Sequence, residues 1–134
     1  MSKKIPSLRS PLSRVRGLGS AGHGTEHWWL QRLTSLALIP LSLYVVASFF
    51  IYVVFGSYEG SIYWLRSPIN AAFVILFILV GFHHAVSGLQ VVIEDYIHCE
   101  CAKIASLLLV KGLAVVFALL GVLSTGKILY GVFF

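Results

Sequence analysis

Charge is what this sequence has least of. Lysine, arginine, aspartate and glutamate make up 11% of the 134 residues, and only five of those are acids. Two long stretches, 33–55 and 71–93, hold none of the four, while hydrophobic residues reach 58% of the chain. That balance, with a mean hydropathy of +0.91, excludes a soluble globule and leaves one small membrane domain. Cysteine is scarce too. Cys99 and Cys101 form a single CxC pair, which falls short of the four ligands a zinc site wants and sits too close in sequence to bridge easily. They read as reduced structural thiols, a metal shared with a partner chain being the lesser alternative. There is no glycine-rich phosphate loop, no Ser or Cys triad and no paired-carboxylate motif, so nothing here binds a dinucleotide by its fingerprint. Chemistry on a soluble metabolite has to sit on another polypeptide. The net charge of +5 does not imply nucleic acid, because the basic residues form no stripe with interleaved aromatics.

What is present falls into an arm and three apolar spans. Residues 1–26 are polar, basic and rich in Ser, Gly and Pro. They read as a flexible or partner-bound arm, with 27–134 as the membrane domain. A cleaved signal peptide fits poorly: the polar part is too long, and no small-residue cleavage site follows the apolar run. Trp28 and Trp29 open the first span as an interfacial aromatic pair, with Arg32 snorkelling nearby. The spans are expected at about 30–55, 68–94 and 104–131, since about 20 apolar residues cross the hydrocarbon. Pro40 is expected to kink the first and Pro68 to occupy the first turn of the second. Residues 56–67 are expected to form a polar and aromatic loop. With three spans, the arm and the 94–103 loop share one side. That side collects Lys3, Lys4, Arg9, Arg14, Arg16, Arg32, Lys103 and Lys111, against Arg66 and Lys127 on the other. The bias places the N-terminus in the cytoplasm, or in the matrix of a mitochondrion.

The middle span carries the chemistry. Its uncharged run contains His83 and His84 and ends abruptly at Glu94, Asp95 and Tyr96. Ionisable side chains within hydrocarbon are costly and mark ligand, ion or partner sites. At 100° per residue, His84, Gly88, Val91 and Asp95 share one stripe of the helix, with His84 roughly 16 Å deeper than Asp95. His83, Ser87, Gln90 and Glu94 make a second stripe about 100° away. The first stripe offers an imidazole, a small residue beside which a flat ring can approach, and a carboxylate with a phenol at the membrane edge. Heme ligation by His84 competes with an interhelical hydrogen bond, and for His83 the hydrogen bond is the better reading. No other span holds a histidine, so a second axial ligand to a six-coordinate heme would come from a partner chain. Tyr96 suits either an interfacial position or a quinone carbonyl. Arg32, on the same side as Asp95, has the geometry to pair a heme propionate.

His84, Gly88, Gln90 and the Asp95-Tyr96 pair, with a polar arm, three spans and the GTEHWWLQRLTS segment, resemble the small hydrophobic membrane anchor of succinate dehydrogenase, respiratory complex II. The likeness covers roughly residues 17–134 and leans to the alphaproteobacterial and mitochondrial-like branch. It implies an all-α integral membrane protein whose three helices complete a bundle with a second membrane-anchor polypeptide. It also implies iron–sulfur and flavoprotein subunits as further partners, and a place in a bacterial cytoplasmic membrane or a mitochondrial inner membrane. By position, His84 would be an axial ligand of heme b. Arg32 would lie near the propionates, with His27 a weaker candidate, and Tyr96 and Asp95 would bind and organise ubiquinone. The doubled His83-His84 is a departure from the family pattern. Two readings from other classes stay open on the residues alone: a structural tether with histidines used for packing, and a transport protein with His83, His84 and Glu94 as a proton relay.

Overall fold

A computed structural model describes Leu12 and residues 24–131; the remainder of the expected basic arm lies outside the described residues. All regular structure there is helical. Helix α1 spans Gly24–Ser48 and passes into a π-helical segment, Phe49–Val54. A short helix α2 (Tyr58–Leu65) follows, then α3 (Pro68–Tyr96) and α4 (Glu100–Leu129). Three stretches are long and apolar enough to cross a bilayer: Trp28–Val54, Pro68–Tyr96 and Glu100–Leu129. At 1.5 Å per residue α3 and α4 are each about 43–45 Å long, which spans the hydrocarbon and both headgroup layers.

The expected loop at 56–67 is instead largely α2. Ser57 caps it, its hydroxyl accepting from the Gly60 N–H at 3.1 Å, and Glu59 lies in the first turn where a carboxylate complements the helix dipole. Gly56 makes the turn into α2 possible, because a methyl group there would run into the Tyr52 carbonyl. Pro68 does stand in the first turn of α3. Helix α4 begins at Glu100, ahead of the apolar stretch, with the Lys103 ammonium 3.0 Å from the Glu100 carboxylate one turn away. Pro40 lies inside α1, which continues through it. The departure from α geometry comes later, at the π-helical turn.

Helix α3 is the middle of the three. It packs against α1 on one side and α4 on the other, whereas α1 and α4 make no contact among the described residues. The α1–α3 register is antiparallel: Gln31 lies against Gly88, Thr34 against His84 and Tyr44 against Phe73. Along α4, Gly121 brings the backbone close to α3. A Cβ there would stand 2.9 Å from Ile78 Cδ1, and buried Thr125 one turn on returns its hydroxyl to the Gly121 carbonyl. Small residues at the crossing are how helices approach in lipid, where burial of apolar surface gives no drive. Three helices in a row leave little enclosed: only Leu41, Ala71, Ile93, Ser48 and Thr125 are buried among the described residues.

The end of the bundle away from the loop 97–99 is tied by one asparagine. Tyr44 donates to Asn70 Oδ1 at 2.7 Å, and Asn70 Nδ2 donates to the Trp64 carbonyl at 2.8 Å. Trp64 in turn stacks on Tyr52, 5.5 Å between centroids. Asn70→Leu keeps the volume and removes both bonds, leaving the Trp64 carbonyl with the Ser67 N–H, 3.2 Å away, but without its shorter bond. At about 0.6–1 kcal/mol per interhelical bond in a membrane, the expected loss is about 1–2 kcal/mol. It is read as a lower Tm of the detergent-solubilised complex, and an unchanged Tm would mean that these bonds are replaced as fast as they are lost.

Candidate functional site

The two stripes of α3 face different neighbours. His84 and Gly88 turn toward α1, and His83, Ser87 and Gln90 turn toward α4. His84 is half-buried, and its Nδ1 lies 2.9 Å from Thr34 Oγ1 on α1. The same hydroxyl sits 2.8 Å from the Leu30 carbonyl and 3.1 Å from that of Gln31. His84 has no second hydrogen bond among the described residues, so Nε2 is without a partner there. The space over Gly88 is taken by α1: a Cβ would be in ordinary contact, 3.5 Å, with Gln31 Nε2. The Gln31 amide thus lies beside Gly88, while at Gly81, one turn before His84, the Cβ position is open, with nothing within 4 Å. Gln31 Oε1 is buried without a hydrogen-bond partner. An unsatisfied carbonyl oxygen in a membrane helix is costly and leaves an acceptor one turn from Thr34.

His83 is exposed and lines a groove of about 520 Å³ between α3 and α4, shared with Ser87, Gln90 and Lys111. Ser87 gives its hydroxyl to the His83 carbonyl at 2.9 Å, and Gln90 Nε2 donates to Glu94 Oε1 at 2.8 Å. With His84 bonded to α1 and Glu94 to Gln90, the residues of the relay reading divide between two faces of α3. No hydrogen bond joins the two faces among the described residues.

Arg32 lies two residues before Thr34, about 3 Å nearer the N-terminal edge of α1. Its guanidinium is 5.5 Å from the Trp28 ring centroid, over a π-face that attracts a cation. The charge thus points from the level of His84 toward the interface, as a snorkelling side chain does. His27 lies in the first turns of α1, its side chain outside the described residues. Asp95 and Tyr96 end α3, both exposed, Tyr96 at 78%, and neither has a hydrogen bond among the described residues. They stand about 16–18 Å along the axis from His84. The chain therefore arranges an imidazole at mid-depth, a cation above it and a carboxylate-phenol pair at the edge, and the described residues do not close a pocket around them. Cys99 and Cys101 are free and exposed.

Thr34 and Gln31 are the site residues that the sequence pattern does not single out. Their signal is in the first span, where Gln31, Thr34 and Ser35 are a polar patch within about one turn of an otherwise apolar run. Only the antiparallel register with α3 gives that patch its meaning.

Comparison with known proteins places this arrangement in a family. Residues 6–123 match the model of the succinate dehydrogenase/fumarate reductase transmembrane subunit. A succinate dehydrogenase hydrophobic membrane anchor subunit of Rickettsia bellii is 34% identical over 105 residues, covering 78% of this chain and 82% of the relative. The succinate dehydrogenase membrane anchor subunit of Reclinomonas americana is 33% identical over 94 residues, 69% of this chain and 78% of that one. The Paracoccus denitrificans anchor subunit is 32% identical over 99 residues, 72% and 74% of the two chains. No solved structure matches the chain significantly. Three apolar membrane-spanning helices and a family match over most of its length make this chain a member of the succinate dehydrogenase/fumarate reductase transmembrane-subunit family, a hydrophobic membrane anchor of succinate dehydrogenase.

Proposed function

We propose that this anchor holds half of a heme b site at His84 and one wall of a ubiquinone site at Tyr96 and Asp95. The observation that carries the reading is the state of His84: mid-span, half-buried, with Nδ1 engaged by Thr34 and Nε2 without a partner among the described residues. A ligating histidine typically has its other ring nitrogen held by an oxygen in this way. The open space at Gly81, one turn away on a neighbouring face, suits a flat ring beside the imidazole. One ligand does not hold a six-coordinate iron, His83 turns away toward α4 and no other span holds a histidine, so the companion anchor supplies the other. The row of helices α1, α3 and α4, with almost nothing enclosed, leaves faces for that companion to cover.

In this reading Arg32 pairs a propionate with its planar guanidinium, and His27 stands by as a second polar contact nearer the edge. The bound heme supplies a one-electron store beneath the quinone. Tyr96 donates its phenol hydrogen to a ubiquinone carbonyl, and Asp95 orients the polar groups around it. Electrons arrive from succinate through the flavoprotein and iron–sulfur subunits, which meet the anchors on the side of Asp95 and Tyr96. The bias of Lys3, Lys4, Arg9, Arg14, Arg16, Arg32, Lys103 and Lys111 over Arg66 and Lys127 supports a cytoplasmic position for that side in a bacterium, or a matrix-facing one in a mitochondrion. The test is the dithionite-reduced minus oxidised spectrum of the complex purified through this chain, with its component polypeptides identified. A b-type band in a complex that contains a second anchor and both soluble subunits is the expected result. A complex that turns over succinate with no porphyrin by pyridine hemochrome assay would reduce the chain to a tether.

A further inference from the structure

We infer that Thr34 is the positioning residue of His84, fixing the ring proton on Nδ1 so that the Nε2 lone pair is free for a metal. The inference rests on the reading that His84 ligates iron, and it deepens that reading.

The argument is a count of hydrogens. The Thr34 hydroxyl has one hydrogen and three oxygen or nitrogen neighbours within reach: Leu30 O at 2.8 Å, Gln31 O at 3.1 Å and His84 Nδ1 at 2.9 Å. The two carbonyls only accept. If the hydroxyl spent its hydrogen on His84, its lone pairs would face the Leu30 carbonyl oxygen at 2.8 Å with nothing between them, in a membrane-spanning helix where such repulsion is weakly screened. Given to Leu30 instead, in the back-bonding geometry that threonine adopts in helices, the hydrogen satisfies that carbonyl. The hydroxyl oxygen is then an acceptor for His84 Nδ1–H. In this second arrangement the hydroxyl hydrogen, the Leu30 carbonyl and Nδ1–H are each paired, and a neutral imidazole that carries its proton on Nδ1 has a bare lone pair on Nε2. The first arrangement puts the proton on Nε2 and makes His84 unable to ligate.

Two consequences follow for a metal bound at Nε2. The hydrogen bond holds the ring in one orientation across the α1–α3 interface, and it draws the Nδ1 proton outward, which makes the imidazole a stronger donor. A stronger donor favours ferric over ferrous iron and lowers the midpoint potential. Threonine at this position therefore acts on the iron through His84 and touches no substrate.

The test uses the intact complex with Thr34→Val, which keeps the shape and loses the hydroxyl, beside Thr34→Ser, which keeps the hydroxyl. Optical redox titration reads the heme midpoint potential, and polypeptide stoichiometry after size-exclusion chromatography reports assembly. The expected result is an upward shift in Thr34→Val with Thr34→Ser at the wild-type value. A tenfold weaker preference for ferric iron reads as a shift of about 59 mV for one electron. Loss of heme from Thr34→Val with retention in Thr34→Ser supports the same role. A Thr34→Val complex with its heme at the wild-type potential overturns it, as does equal loss of heme from both variants, which would point to packing rather than the hydroxyl. Absence of heme from the wild-type complex sinks the parent reading as well, so the two failures are told apart by the unmutated protein.

Discussion

Replacing His84 with alanine is expected to cut the b-type heme content of the complex by more than about tenfold, or to leave a five-coordinate heme with a displaced spectrum, while His83→Ala leaves the spectrum intact. The asymmetry follows from the helix. Neighbouring residues differ by about 100°, and the two rings consequently face different partners. His84 is bonded to α1 through Thr34, whereas His83 looks into the groove against α4 with Lys111. Removing a direct ligand costs more than the 10–100-fold typical of its supporting residues. A collapse of the fold is a poor rival explanation for such a loss. Thr34 keeps its bond to the Leu30 carbonyl when the imidazole is gone, so the vacancy strands one acceptor lone pair and no donor. His84→Gln separates the cases further, because its amide N–H can still reach Thr34 but an amide is a poor ligand for heme iron. Spectral loss in both His84 variants with normal assembly is the expected pattern. An unaltered spectrum in His84→Ala, or loss in His83→Ala alone, moves the ligand elsewhere.

How much of this is legible in the sequence depends on whether a residue's role is set by its own helix. The middle span reads in detail, since the offset between His84 and Asp95 and the break at Glu94 are properties of one helix. Two of the three membrane spans follow from the uncharged runs 33–55 and 71–93, and the third from an apolar stretch whose lysines stand near its ends. Residues 56–67 read as a loop because Gly56, Ser57, Glu59 and Gly60 are polar or turn-forming residues. Ser57 spends that tendency on capping, and the apolar Ile62, Trp64 and Leu65 continue as helix. The stripe shared with Gly88 and Asp95 already favours His84 over His83 as the ligand, but which neighbour each histidine meets needs tertiary information, since only the packing of α1 and α4 on different sides of α3 assigns it. Thr34 and Gln31 escape notice for the same reason. A hydroxyl and an amide in a membrane helix look like tolerated polar residues until the register sets them against His84 and Gly88.

Tyr96→Phe is expected to lower ubiquinone reduction by about 10–100-fold while reduction of an artificial dye by succinate survives. The substitution removes one oxygen and nothing else. Tyr96 is 78% exposed at the end of α3 and makes no hydrogen bond among the described residues, so the chain's own fold loses no bond with that oxygen. Any large effect therefore comes from what the phenol touches outside this chain. A phenol donating to a quinone carbonyl strengthens its bond as the oxygen gathers electrons. Losing a hydrogen bond that is stronger in the transition state lowers kcat more than it raises KM. Loss of one donor aimed at a developing oxyanion costs about 10²–10³-fold where water is excluded, and a site at the membrane edge, partly wet, is expected to fall below that. Each tenfold is about 1.4 kcal/mol, which puts the contribution within the range of a hydrogen bond to a charged group. Dye reduction takes electrons from the soluble subunits ahead of the anchor and reports that they are loaded and attached. Asp95→Asn keeps the shape and removes the carboxylate charge, and is expected to reduce quinone turnover as well, by disordering the polar groups that orient the phenol. Quinone kinetics unchanged in Tyr96→Phe would return this residue to the role of an interfacial aromatic, and the polar edge of α3 would then have to be assigned to contact with a neighbouring polypeptide instead.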